Sequence, residues 1–165
     1  MESPLLSIHQ ALGAKLGDFA GWQMPLEYPA PVGGGTLAEH QAVRELAGLF
    51  DVSHLGKIEI SGSGAKDWVN AIFTNDLNRI TAGQAQYSLL CNEMGGVIDD
   101  VIIYCRSEDD LLVIPNAANA QAVLNVLVAQ NHDSKLLIKN RHLDFAVIAL
   151  QGPLSKEVLK SIGLQ

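Results

Sequence analysis

Two adjacent carboxylates, Asp99 and Asp100, sit just after the dipeptide Gly95-Gly96 and just before the apolar run Val101-Ile102-Ile103-Tyr104. A sheet carboxylate beside valine and isoleucine needs water or a hydrogen-bonding partner, so at least one of the pair is expected to face a cleft. A preorganised carboxylate in a dry cleft stabilises developing positive charge far better than a solvated one. The competing reading is that both are solvated turn residues, a common place for aspartate. Gly-Gly tolerates positive φ and marks a hairpin, so residues 84–104 read as two strands and a turn. Strand alternation puts Ile98, Asp100, Ile102 and Tyr104 on one face, and Asp99, Val101, Ile103 and Cys105 on the other. An even hairpin loop sets Tyr87 opposite Ile102, diagonal to Asp100 and Tyr104, making a carboxylate between two phenols. An odd loop moves Tyr87 to the other face.

Other constellations carry less. Asp51, Ser53 and His54 suggest a hydrolase triad, but the G-x-S-x-G elbow is missing, and neighbouring strand residues face apart. Ser61-Gly62-Ser63-Gly64 lacks the lysine of a P-loop and the spacing of a dinucleotide fingerprint. Five scattered histidines show no zinc-ligand spacing. The aromatic stretch from Phe19 to Tyr28 is either a core strand with a turn or the wall of an apolar cleft.

The elements that position these residues follow in order. Residues 5–12 form a short helix ending at Gly13. The loop 29–35 precedes a helix that Thr36 and Glu39 start as a T-x-x-E capping box, with Leu37, Val43, Leu46 and Ala47 at helical spacing and Gly48 as the stop. Residues 57–61 alternate as a strand, and Ser63 is placed to N-cap a helix over 65–73 with Trp68, Val69, Ile72 and Phe73 inward. Residues 74–83 read as a polar loop. Residues 111–115 form a strand. Asn116 is placed to N-cap a helix to Gln130, or to turn its amide toward a cleft beside the hairpin. Strands over 135–139 and 144–150 lead, through Gln151-Gly152-Pro153, to a last helix running to Gln165. The sum is an α+β fold with largely antiparallel sheets and flanking helices.

Bulk properties bound the function. The 165 residues suffice to bury a core without disulfides. A net charge of −7 with no basic cluster argues against nucleic acid. The chain is 48% hydrophobic with a mean hydropathy of +0.17, yet has no run long enough to span a bilayer. The apolar excess points instead to surface that packs against polypeptide outside this chain. Cys91 and Cys105, and no export signal, suggest a reducing cytoplasm.

Several stretches jointly resemble the aminomethyltransferase, or T-protein, family of the glycine cleavage system. They are Phe19-Ala20-Gly21-Trp22 with Met24-Pro25, Ala38-Glu39-His40 with Val43-Arg44, Gly48 through His54, Thr74-Asn75-Asp76, Tyr87-Ser88, Asn92-Glu93, Gly95 through Asp100, Asn116-Ala117-Ala118-Asn119 and Leu150-Gln151-Gly152-Pro153. They run in order through nearly the whole chain, which resembles only the N-terminal part of a family more than twice as long. The resemblance implies the three-domain folate-binding fold, here as residues 1–55 of a first domain, 56–141 of a second carrying the hairpin, and 142–165 returning to the first.

It also implies a reaction. A lipoylated H-protein presents an aminomethyl group; its one-carbon unit passes to tetrahydrofolate, and ammonia is released. Asp100 corresponds to the family's key aspartate, which bonds the folate and stabilises positive charge. Leu55, Tyr87, Tyr104 and Asn116 match positions lining the pterin pocket, and Ile102 shares their face. Leu55 replaces a methionine common in the family, a change that keeps the pocket apolar. The loop 29–35 is longer than usual. The fragment alone is expected to be inactive, its remaining site residues lying on the absent C-terminal part, which is then also its partner. Other readings are a folate-binding T-like module without transfer activity, of the iron–sulfur assembly type, and a T-like domain of a sarcosine- or dimethylglycine-type oxidoreductase. Only four residues precede the pattern, which is expected to leave no flavin domain ahead of it.

Overall fold

The computed structural model describes residues 1–132 and 136–164. The chain divides into two compact units, residues 1–54 with 145–164, and residues 55–144. Among the described residues no helix is long and apolar enough to cross a membrane.

The second unit holds the hairpin. Strands β4 (Ile58–Ser61), β5 (Gln84–Cys91), β6 (Val97–Ser107), β7 (Asp110–Ile114) and β8 (Leu137–Asn140) form an antiparallel sheet in the order β5-β6-β7-β4-β8. Lys135, expected to open the last of these strands, lies outside the described residues. Alternation along β6 buries Val101, Ile103 and Cys105; with Ile58, Ile60, Leu111 and Val113 they make the inner face of the sheet. Helices α3 (Ala65–Ile72) and α4 (Ala120–Gln130) cover that face with Val69, Val123 and Leu127. Residues 74–83 are not merely a polar loop. A short 3-10 turn, Leu77–Arg79, sends Leu77 into the core, and Ile80 follows.

The register settles the hairpin question. Tyr87 pairs with Ile102 and Leu89 with Asp100, so the body of the hairpin has the even register. A register shift between Leu90 and Cys91 takes up one residue, and at the tip Cys91 faces Val97. A bulge thus reconciles an odd tip with an even body.

The first unit contains a hairpin of β1 (Lys15–Phe19) and β2 (Trp22–Glu27), and a pair joining β3 (Gly48–Asp51) to β9 (Ile148–Gln151) across the sequence. Strand β9 begins later than the expected 144–150, since residues 144–147 carry no strand. Ala20 and Gly21 both take positive φ at the β1–β2 turn, and Trp22 and Met24 are buried whereas Phe19 is exposed, so only part of this aromatic stretch is core. Helices α1 (Leu6–Ala11), α2 (Thr36–Glu45) and α5 (Ser155–Ser161) complete the unit.

Three helix starts differ from expectation, at α2 and α4 because tertiary partners take the capping groups. Gly35, not Thr36, precedes α2. Thr36 Oγ1 therefore donates to Glu27 Oε2 (2.7 Å), and Glu39 Oε1 accepts from Tyr28 N (2.6 Å), so no capping box forms. Nor does α2 bury an apolar stripe; Leu37 is 86% exposed. Helix α3 is preceded by Gly64 rather than Ser63, and its amide donates to Asp109 in the β6–β7 turn (2.9 Å). Helix α4 begins after Asn119, leaving Asn116 in the preceding turn.

A buried polar network anchors the first unit. Asp51 accepts hydrogen bonds from Ser3, from Ser53 N (2.8 Å) and from His9 Nε2 (2.7 Å), and Tyr28 O–H bonds His9 Nδ1 (2.7 Å). Burial pushes the Asp51 carboxyl up, but the bonds from Ser3, Ser53 and His9 together outweigh it and hold the group below the usual carboxylate range. A depressed folded-state pKa contributes stability above the unfolded value of about 3.9, and that contribution is lost as pH falls through the folded value. Ser3→Ala removes one of the lowering bonds. Its acid-unfolding midpoint, followed by circular dichroism, is expected at higher pH than that of the parent; an unchanged midpoint would show that Ser3 does not stabilise the charge.

Candidate functional site

The outer face of the five-stranded sheet carries four of the expected site residues. Tyr87 on β5 and Asp100, Ile102 and Tyr104 on β6 point to this side, Tyr87 57% and Tyr104 44% exposed. Tyr87 lies diagonal to Asp100 through the Leu89–Asp100 pair, within reach of long side chains, whereas Tyr104 stands four residues, roughly 13 Å, further along β6, so Tyr87 lies between the carboxylate and Tyr104 rather than the carboxylate between the phenols. Partial burial, then the charge of Asp100 and a hydrogen bond to it, raises the Tyr87 phenol above its ordinary value.

The two aspartates separate as strand alternation requires. Asp100 is exposed on the outer face, whereas Asp99 is 3% exposed on the inner face. Asp99 escapes the cost of a bare buried charge through three donors. Asn116 N donates to Oδ2 (2.8 Å), while Asn116 Nδ2 (3.0 Å) and Asn119 Nδ2 (2.7 Å) reach Oδ1. Asn116 Nδ2 also lies 3.0 Å from the Asp100 carbonyl oxygen and 3.1 Å from Asp100 Oδ1. Asn116 thus serves the carboxylate pair rather than capping α4. The reading that both aspartates are merely solvated fails at Asp99.

Leu55 enters from the chain ahead of β4. Gly56 N bonds Pro115 O (2.8 Å), which sets Leu55, half-buried, next to the backbone that presents Asn116. The approach is close enough to need glycine: a Cβ at position 56 would stand 2.5 Å from Pro115 Cγ and 2.8 Å from Ala120 Cβ. All six expected residues therefore belong to one unit. Four share the outer face, Asn116 hydrogen-bonds Asp100 from the end of β7, and Leu55 lies beside the turn that holds Asn116.

Sequence reasoning missed the supports. Asn75 Nδ2 donates to the Tyr87 carbonyl (2.9 Å) and Asn75 N to Ser88 Oγ (2.9 Å), while Thr74 brackets Leu89 with two further bonds. Residues 74–76 so cover the edge of β5 and fix the backbone under Tyr87. The only trace was the motif Thr74-Asn75-Asp76, noted without a role. Asn119 and the partners of Asp99 left no periodic signal.

The model of the GCVT N-terminal domain family matches residues 5–164. The chain belongs to that family. This GCVT N-terminal domain is 50% identical over 162 residues to an aminomethyltransferase of Parafrankia sp. (strain EAN1pec), covering 98% of the chain and 43% of that relative. It is 49% identical over 164 residues to an aminomethyltransferase of Mycobacterium tuberculosis (strain ATCC 25618 / H37Rv), again covering 43% of it. The crystal structure of glycine cleavage system aminomethyltransferase T from Bartonella henselae superposes with a TM-score of 0.89 at 37% identity, over 100% of this chain and 44% of that one. The domain therefore spans less than half the length of the relatives it matches.

Proposed function

We propose that this GCVT N-terminal domain forms the N-terminal part of a tetrahydrofolate-dependent aminomethyltransferase, acting on an aminomethyl-lipoyl H-protein and releasing ammonia. One observation supports this reading above the rest: a carboxylate held by Asn116 shares an open sheet face with Ile102 and two half-exposed phenols, Tyr87 diagonal to it and Tyr104 further along β6. Flat aromatic walls suit a pterin ring, and an acceptor-only carboxylate at the end of the row suits the N–H edge of that ring. Tetrahydrofolate supplies the nucleophilic nitrogen that takes up the one-carbon unit. Asp100 fixes the orientation of the ring and stabilises positive charge as the aminomethyl group leaves sulfur. Tyr87, Ile102, Tyr104 and Leu55 keep water from that charge, and the covering wall is the C-terminal portion of the protein, acting in the cytoplasm.

The test joins this domain to a C-terminal portion like that of its relatives and assays it with lipoylated H-protein and tetrahydrofolate. Ammonia and 5,10-methylenetetrahydrofolate are expected in equal amounts. Folate binding with no H-protein-dependent ammonia would instead establish a binding module. The 165-residue chain alone is expected to show no turnover, and full rates from it would refute the need for a second wall.

A further inference from the structure

We propose that Asp99 is a positioning residue for Asp100, acting through the Asn116 side-chain amide; the catalytic part of this claim rests on the transfer reading above. Asp100 projects from an exposed face, where a two-torsion side chain would sample several rotamers. What restrains it from the strand side is Asn116 Nδ2, 3.1 Å from Asp100 Oδ1. That amide can present either its nitrogen or its oxygen, and the two ends are nearly equal in shape. An oxygen turned toward Asp100 would repel the carboxylate.

The Asp100 carbonyl oxygen, 3.0 Å from the same Nδ2, already favours the nitrogen end, and Asp99 supplies the second acceptor that fixes it. Its carboxylate only accepts, is buried beneath the strand, and takes the same Nδ2 at 3.0 Å. Asn116 N on the other oxygen (2.8 Å) and Asn119 Nδ2 (2.7 Å) leave little freedom for the group to rotate away. One nitrogen therefore spans two carboxylates that alternation sends to opposite faces of β6. The inner carboxylate orients the amide, and the amide orients the outer carboxylate. A partner that fixes a ligating group without touching the reaction is commonly worth about 10- to 100-fold in activity.

Asp99→Asn tests this, because a neutral amide must point its own NH2 at one or more of the three converging donors. If it replaces Oδ2 it meets Asn116 N; if it replaces Oδ1 it meets both side-chain amides. Either way Asn116 loses part of its anchorage to position 99 and is left to the Asp100 carbonyl and carboxylate oxygens. In the 165-residue chain, three-bond couplings of Asp100 are expected to show one χ1 rotamer, and averaged rotamers in Asp99→Asn. Asn119→Ala removes one donor while leaving β6 intact, and serves if the first variant does not fold; averaging is expected there too. In the protein joined to its C-terminal portion, Asp99→Asn is expected to lower kcat by about 10- to 100-fold, with a smaller change in KM. In an Asp100→Asn background the same substitution should cost no more than about twofold, since both act through one group. A single unchanged Asp100 rotamer in the folded variants, or an equal kcat loss in both backgrounds, would overturn the proposal. Unimpaired turnover by Asp100→Asn alone removes the transfer reading instead, and the couplings then decide the positioning claim by themselves.

Discussion

Asp100→Asn, in the protein joined to its C-terminal portion, is expected to lower turnover by about 10²–10³, the range for losing one preorganised electrostatic partner. The substitution keeps the size of the side chain and one oxygen, so the bond from Asn116 Nδ2 to Oδ1 has an acceptor to keep. What is lost is the charge. Tyr87 and Tyr104 remain in place on neighbouring strand positions, so tetrahydrofolate affinity should change much less than kcat. That split identifies an interaction made mainly in the transition state. Steady-state kinetics with H-protein and tetrahydrofolate, beside a direct folate-binding isotherm, would measure it. Wild-type turnover would take Asp100 out of the mechanism, and a matched loss of affinity and rate would make it a binding residue only.

Gly152→Ala is expected to destabilise the first unit by roughly 2–5 kcal/mol, a sum of left-handed backbone strain and overpacking. Gly152 has φ of +116°, a region L side chains rarely adopt. A Cβ there would stand 2.7 Å from Leu46 O and 2.8 Å from Val43 O. These are backbone atoms at the end of α2, which cannot move aside as a flexible side-chain tip can. The glycine also sits where Leu154 N bonds Leu46 O (2.9 Å) and β9 leaves its pairing with β3. Urea unfolding of the variant should show a lowered midpoint with an unchanged slope. A parent-like midpoint would mean that the α2 end and the 151–153 turn do not approach as closely as described.

Much of the hairpin was legible because a strand has a period of two. Alternation alone separated Asp99 from Asp100 and grouped Asp100 with Ile102 and Tyr104. The Gly-Gly pair located the turn, but loop parity could not: a bulge at Leu90–Cys91 absorbs one residue, and only cross-strand pairing reveals it. The capping residues were misread for a related reason. Thr36 and Glu39 have the types and spacing of a box, yet Glu27 and Tyr28 of the preceding strand end reach them first. Local propensity is a weak preference that a tertiary hydrogen bond overrides.

The sequence by itself determined the α+β class, the hairpin, the face that Asp100 shares with Ile102 and Tyr104 and the family pattern, because each is written in near-neighbour periodicity or in ordered short motifs. Only the tertiary structure decided which aspartate is buried and what satisfies it. Asn116 and Asn119 lie 17 and 20 residues from Asp99, and His9 lies 42 from Asp51. Partners at such separations are chosen by how packed elements bring donors to acceptors that water can no longer reach, and no local spacing encodes that choice.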